Sequence, residues 1–303
     1  MSTENPFEKP SEATVTAING AYINNVLNGT SDEKIFRLPL VELMNTSDTF
    51  GSQKADNAME FIEDPETRKA FRTGFEFAED FFRLEQTDQP FIEAFIKANF
   101  DFKDLTEKYD SMVKEGLKPS IVVSPVNLSV YEWLDLFRNT PTNNTASPLT
   151  ANITDGIREI WDSFTQIPSD GLGLHPIDSI TLPTAGINMR ATTTWTIRAI
   201  AAIEDTPRKG IGYQDVIPNS HPTIAEYLAL QARLYTENRK PLDTSSGSWL
   251  ATNSHNNDPA LSFPVPIGIW DENVNATGAR GMVTIGRRSS SQSADFLGWR
   301  EAF

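Results

Sequence analysis

The clearest hydrophobic pattern lies between residues 64 and 116, where apolar side chains recur at the spacing of a helix. Phe71, Phe75, Ala78 and Phe82 follow one another every three or four residues, so that they share one face. The preceding Asp64-Pro65-Glu66 combines a capping acceptor, a proline for the first helical position and an acid for the first turn. The pattern therefore predicts an amphipathic helix that begins at about residue 65.

Two more helices are expected before residue 118. The apolar pattern restarts after Asp88-Gln-Pro90, and a third segment runs from Asp101 to Gly116. Ten of the eighteen phenylalanines lie between residues 61 and 102. They could form an aromatic surface for a partner or an apolar ligand, but periodic phenylalanine at helical spacing is typical of a core. We interpret them as the core of a helical region.

Beyond residue 118 the pattern changes to shorter elements that include strands. Ser120–Ser124 is a β-branched run between two prolines, and Ile177–Leu182 is similar. Residues 187–199 alternate between apolar and polar, which predicts a strand with one face in water or against a polar neighbour. Residues 261–269 alternate as well and have 282–287 as the expected hairpin partner. The two prolines of 261–269 predict an edge strand.

Three helices are expected among these strands. Ser129-Val-Tyr-Glu132 is a capping box at the start of the first, and Thr154 caps a short second helix. Ser220-His221-Pro222 opens the third, which ends near Asn238. Trp299 and Phe303 indicate that the end of the chain packs against the rest.

Helices first and strands later indicate an α+β fold. We expect an N-terminal helical region rich in phenylalanine, followed by a mixed or antiparallel β-sheet region with a few packed helices. The predicted parts are a polar arm at 1–20, a mainly helical subdomain at 21–118 and an α+β domain at 119–303 with a β-rich end; the last two could equally form one continuous domain. A parallel α/β core around 120–203 is the main alternative.

Charge and composition narrow the possible partners. With 26 basic and 41 acidic residues the net charge is −15, which disfavours binding to a phosphate backbone. Arg190 and Arg198 lie with threonines on the polar side of 187–199, but no aromatic residue is interleaved with them to stack on bases. We therefore predict no nucleic-acid partner.

Several kinds of chemistry are excluded by residue type. The chain has no cysteine, which rules out disulfides, cysteine-ligated zinc and cysteine nucleophiles. Walker and Gly-x-Gly-x-x-Gly loops are absent, so we predict no cofactor. The N-terminus lacks the basic and apolar regions of a signal peptide, and no apolar stretch approaches the ~18 residues of a membrane span. The expected location is the cytoplasm or a virion.

The candidate catalytic or metal-binding residues are His255 and Asp258. Of the three histidines, His175 and His221 stand next to prolines and are interpreted as turn and helix-entry residues. Ser254-His255-Asn-Asn-Asp258 could offer an imidazole and a carboxylate to a metal ion or a substrate. Paired carboxylates could also cleave a glycosidic bond, with Trp249 and Trp270 as exposed platforms for a sugar.

Three functions remain open from the sequence. The leading hypothesis is a non-catalytic structural or interaction protein of a bacterial or phage system, a subunit of a larger assembly. Residues 1–20 and the strands of 261–288 would then contact other chains. One alternative is a carboxylate-dependent hydrolase, which could act on carbohydrate, with His255 and Asp258 near its site. The other is an acidic cytosolic binding module that presents residues 54–116 to a basic partner.

Overall fold

The structure, a computed structural model, describes residues 59–84, 91–126, 128–138, 149–159, 161, 179–183, 192–203, 208–210, 221–237, 239–251, 264–274, 280–289 and 295–303. All of them belong to the compact unit Ala55–Phe303. The helices among them are α1 (Pro65–Phe81), α2 (Phe91–Lys97), α3 (Phe102–Lys114), α4 (Val130–Arg138), α5 (Asp155–Arg158) and α6 (Ile224–Thr236). The strands are β1 (Pro119–Pro125), β2 (Ala151–Ile153), β3 (Ser179–Pro183), β4 (Thr192–Ala201), β5 (Arg208–Lys209), β6 (Gly247–Trp249), β7 (Pro264–Val274), β8 (Arg280–Ser289) and β9 (Leu297–Trp299).

The strands form two sheets. One is antiparallel with the order β1-β4-β3, and the other is mixed with the order β2-β8-β7-β6-β9-β5. Only the β2–β8 and β6–β9 pairs of the described strands are parallel. Helices together with an antiparallel and a mixed sheet confirm the predicted α+β class.

Helix α1 shows how the local sequence determines an element and its packing. Asp64 Oδ2 accepts a hydrogen bond from the backbone N–H of Thr67 at 2.7 Å, as expected for the predicted cap. Gly74 lies where α1 crosses β1, and a Cβ on it would be 2.7 Å from the carbonyl oxygen of Ile121. The glycine therefore lets the helix approach the strand more closely than any other residue would.

Helix α6 is buried on every side. Its residues from Ile224 to Leu234 are all buried. The cap is Thr223, which forms a capping box with Glu226, so the predicted start at Ser220-His221-Pro222 is three residues early. Since such a helix has no solvent face, its polar side chains must find partners inside the protein.

One apolar core contains residues from both sides of residue 118, among them Phe71, Trp133, Trp195 and Leu228. A smaller cluster of Trp249, Val265, Ile267 and Leu297 lies on the face of the mixed sheet that points away from α6. The three-part division of the chain stays a prediction.

The hairpin of β7 and β8 confirms the predicted pairing but corrects the predicted edge. Strand β7 lies between β8 and β6, inside the mixed sheet. Backbone groups of Pro266 face the β6 side, where its carbonyl accepts from Leu250 N at 3.0 Å. Because the missing N–H of Pro266 would point toward β6, the hydrogen bonds between β7 and β8 are not interrupted. The ladder to β6 is not interrupted either, because only Ser248 and Trp249 of β6 pair with β7 and neither is opposite Pro266.

The polar side of strand β4 faces polar neighbours, which is the second of the two predicted surroundings, and not water. Thr196 and Arg198 lie on this side and are only 2% and 3% exposed. The chain end pairs with the edge of β4 beside Arg198, since Phe303 exchanges two backbone hydrogen bonds with Ala199 and the guanidinium of Arg198 donates to the carbonyl of Ala302. Arg198 is thus unavailable to a nucleic acid, while Arg190 lies outside the described residues.

Candidate functional site

A cluster of buried polar side chains lies between the two sheets and is organised around Asp243. We call it the Asp243 network; it consists of Tyr227, Gln231, Asp243, Ser246, Ser248 and Arg300. Asp243 follows α6 in a loop and has a left-handed φ of 58°. This conformation, which Asp and Asn adopt more readily than most residues, turns its carboxylate inward.

The carboxylate of Asp243 accepts four hydrogen bonds. Its Oδ1 accepts from Ser246 Oγ at 3.0 Å and from Arg300 Nη2 at 2.8 Å. Its Oδ2 accepts from Tyr227 Oη at 3.0 Å and from Ser248 Oγ at 2.7 Å. The side chains of Asp243 and Arg300 both have zero exposure, so the ion pair is enclosed.

Arg300 connects the chain end to both sheets. Besides Asp243, its Nη1 donates to the carbonyls of Ala201 at 2.6 Å and Ile203 at 2.8 Å, at the end of β4. Its Nε lies 3.3 Å from Ser248 Oγ, on β6. One guanidinium thus joins β4, the central strand of the antiparallel sheet, to β6 of the mixed sheet.

Burial sets the protonation of the tyrosine in this network. Loss of solvent, and then the negative charge of Asp243, raises the pKa of Tyr227 well above its usual value. The phenol therefore stays protonated at neutral pH and donates its hydrogen bond to Asp243. A base or nucleophile would need the opposite shift.

A second enclosed ion pair fixes the end of the chain. Arg198 Nη1 donates to Glu226 Oε2 at 3.1 Å and to the carbonyl of His221 at 2.8 Å, and its Nη2 donates to the carbonyl of Ala302. Glu226 Oε2 also accepts from Thr223 N at 2.8 Å. The Glu226 side chain has zero exposure, so a substrate could reach neither this carboxylate nor that of Asp243.

An open cleft of about 350 Å³ lies over the start of β1. Helices α1, α3 and the end of α6 surround it, and its lining mixes both charges with hydroxyl groups and apolar side chains. The lining residues are Asp64, Glu66, Thr67, Lys69, Ala70, Thr73, Tyr109, Val113, Pro119, Ser120, Ile121, Arg233 and Arg239.

Arg233 holds the walls of this cleft together. Its Nη1 donates to the carbonyl of Ile121 at 2.6 Å, its Nη2 to Thr73 Oγ1 at 2.7 Å and its Nε to Glu237 at 2.7 Å. Its guanidinium therefore donates hydrogen bonds to β1, to α1 and to the end of α6, so that protein acceptors already occupy it.

Two hydroxyl groups in the cleft have different surroundings. Burial raises the pKa of Tyr109, although the charge of Arg233 opposes the shift, so this phenol also stays protonated. Ser120 is 4% exposed, and its buried Oγ has no hydrogen-bond partner among the described residues.

The outer end of the β7–β8 hairpin, which is the end opposite its turn, presents an exposed arginine beside an exposed phenylalanine ring. Arg287 and Arg288 on β8 are exposed, and Phe296 retains 41% of its accessible surface. The guanidinium carbon of Arg288 lies 5.3 Å from the centre of the Phe296 ring, which is the geometry of a cation–π contact.

The residues predicted from sequence have different outcomes. His255 and Asp258 lie outside the described residues, as does His175, so their roles stay predictions. His221 is 1% exposed beside the Arg198–Glu226 pair. The prediction that Trp249 and Trp270 form exposed sugar platforms is wrong, since they are 0% and 7% exposed.

Asp243 and Arg300 were not predicted from the sequence. The available signal was that Arg300 and the adjacent Glu301 are the charged residues of an otherwise apolar segment from Leu297 to Phe303. Such a segment indicates burial, and a buried arginine needs an acid. Ser246 and Ser248 lie on either side of a glycine, and both serines donate to Asp243.

Comparison with protein-family models, with curated proteins and with solved structures finds no match for this chain. Within the described ranges, no three His, Cys, Asp or Glu side chains gather as a metal site requires. In the same part of the chain, no helix combines the length and apolar character of a membrane span.

Proposed function

We propose that the chain is a non-catalytic interaction protein, a subunit of an assembly that contains further copies of itself. The observation that carries this proposal is the exposed pair of Arg288 and Phe296 at the outer end of the β7–β8 hairpin. Arginine and aromatic residues are enriched among the residues that dominate binding energy at protein interfaces. Strands 261–288 are also where the sequence analysis expected contacts with other chains.

Charge indicates what this surface would bind. In a chain of net charge −15, Arg288 is an exposed basic residue. Exposed acids lie elsewhere on the surface, at Glu60 and Glu63 just before the start of α1. A second copy therefore offers the complementary charge, and such a contact between different surfaces of two copies builds rings or filaments.

The enclosed ion pairs support a structural role. The chain uses Arg198, Arg300 and their acids to bind its own backbone, out of reach of any substrate. The hydrolase alternative depends on His255 and Asp258 and stays a prediction, without the support of Trp249 and Trp270. An origin in a bacterial or phage assembly also stays a prediction.

Sedimentation velocity of the full chain over a wide concentration range tests the proposal. We expect species heavier than the 33.7 kDa monomer, and their fraction should fall with added salt because the contact is ionic. Arg288→Glu should abolish association, whereas the control Lys114→Glu, on an exposed residue at the end of α3, should leave it unchanged. A single monomeric species at every concentration would refute the proposal, as would equal association of Arg288→Glu and the wild type.

A further inference from the structure

Two opposite charges of α1 face the cleft over β1 without neutralising each other. Glu66 and Lys69 are three positions apart, are both exposed and both line the cleft. No ion pair joins them to each other or to another described residue, although five other pairs three or four positions apart are formed on α1, α2, α3 and α5. The cleft therefore offers a free carboxylate and a free ammonium group about one helical turn apart.

The floor of the cleft has an unused hydrogen-bonding group. Ser120 lines the cleft, is more than nine-tenths buried and has no partner for its hydroxyl. Buried hydroxyls in proteins are nearly always paired, and an unpaired one requires an explanation. Because Arg233 is occupied by three protein acceptors, Ser120 is the buried group that remains available to a ligand.

Apolar surface lies beside these polar groups. Val113 is 51% exposed, which is unusual for a valine on a well-packed helix, and Ala70 and Pro119 are half-buried in the same lining. The volume of about 350 Å³ lies at the small end of the range for ligand sites. A ligand of this site would therefore be small, with both charges and an apolar part.

We propose that the cleft binds a zwitterion of the amino-acid type, with an apolar side chain. Glu66 binds its ammonium group, Lys69 and Ser120 bind its carboxylate, and the side chain packs on Val113. A free amino acid and a short peptide share this chemistry. The site is separate from the Arg288 surface, and it stands whether or not the chain associates.

Titration calorimetry with the full chain tests which charged groups of the ligand are required for binding. The probes are leucine and leucyl-leucine, which represent the two sources, together with N-acetyl-leucine, which lacks the ammonium group, and leucinamide, which lacks the carboxylate. We expect saturable binding of leucine or of the dipeptide, and affinity at least about tenfold lower for each blocked compound, because each loses a charge-assisted contact.

Variants assign the contacts to residues. Glu66→Gln, Lys69→Gln and Ser120→Ala should each weaken binding of the unblocked probe, the first two by about tenfold or more. Glu107→Gln is the control, because Glu107 is 69% exposed on α3 and absent from the lining. Thermal unfolding verifies that each variant is folded.

Two outcomes would overturn the inference. One is the lack of saturable binding by either unblocked probe at millimolar concentration. The other is equal affinity for a blocked and an unblocked compound, which would show that the cleft recognises a single charge. Since sedimentation measures association separately, failure here leaves the proposed interaction function standing, and the reverse holds as well.

Discussion

Asp243→Asn is the substitution that best tests how the interior is held together. It keeps the size and shape of the side chain, and asparagine accepts the left-handed φ of 58° as readily as aspartate does. The change therefore removes one negative charge and little else. The hydroxyls of Tyr227, Ser246 and Ser248 can rotate to accept a hydrogen bond from the new amide, but the guanidinium of Arg300 can only donate.

The expected cost follows from the burial of the pair. Both side chains have zero exposure, so Asp243→Asn leaves a cation enclosed without its counter-charge. Breaking a buried ion pair in this way costs about 3–5 kcal/mol. Because domains are stable by only ~5–15 kcal/mol, the variant should lose a large part of its unfolding free energy.

Urea unfolding of the wild type and four variants measures this loss: Asp243→Asn, Arg300→Met, the double variant of the two, and Asp104→Asn. Asp104→Asn is the matched control, because its 2.6 Å ion pair with Lys108 is about half exposed and should contribute less than ~1 kcal/mol. The double variant Asp243→Asn with Arg300→Met should be more stable than the sum of the single losses implies, since no unpaired charge remains. A loss for Asp243→Asn no larger than that for Asp104→Asn would show that the network does not stabilise the fold.

Two further predictions concern packing and pH. Gly74→Ala should destabilise the protein by about 1–3 kcal/mol in thermal unfolding, although alanine favours helices, because its Cβ would meet the rigid carbonyl of Ile121. The control Gly156→Ala should cost far less, because its Cβ would meet only a flexible arginine side chain. Equal losses for the two variants would contradict this explanation. The raised pKa of Tyr227 means that the folded state keeps its proton when the unfolded state loses it, so the urea midpoint should fall as pH rises above the usual value of 10.0. Tyr227→Phe should make that fall less steep, and an unchanged slope would show that Tyr227 is not the group responsible.

Elements defined by short-range patterns were predictable. The cap at Asp64, the phenylalanine stripe of α1 and the end of α3 before Gly116 follow from neighbours within one or two helical turns. The β7–β8 hairpin follows in the same way, because alternation and an intervening polar turn are local signals. The role of the phenylalanines as core was correct for most of them, since Phe71, Phe75 and Phe95 are at most 3% exposed, but it was wrong for Phe61, which is 49% exposed.

The errors concern what lies beside each element. Pro266 indicated an edge, but whether its missing N–H matters depends on which neighbour it faces and where that neighbour ends. Trp249 and Trp270 flank a polar segment in sequence, yet the sheet buries both. In each case the residue type was identified correctly and its surroundings were not.

What the sequence determined by itself is the helices and the longer strands, the α+β class and the exclusion of cysteine chemistry, because these depend on residue type and on spacings of a few residues. The short strands β2, β5, β6 and β9 were not predicted. Only the tertiary structure decided which charges are enclosed and which are free. Asp243 and Arg300 are 57 residues apart along the chain and 2.8 Å apart in space. The Coulomb energy of the pair and the cost of its desolvation depend on the distance in space and on the atoms that exclude water around the pair. The pattern of residues along the chain contains neither the distance nor those surrounding atoms.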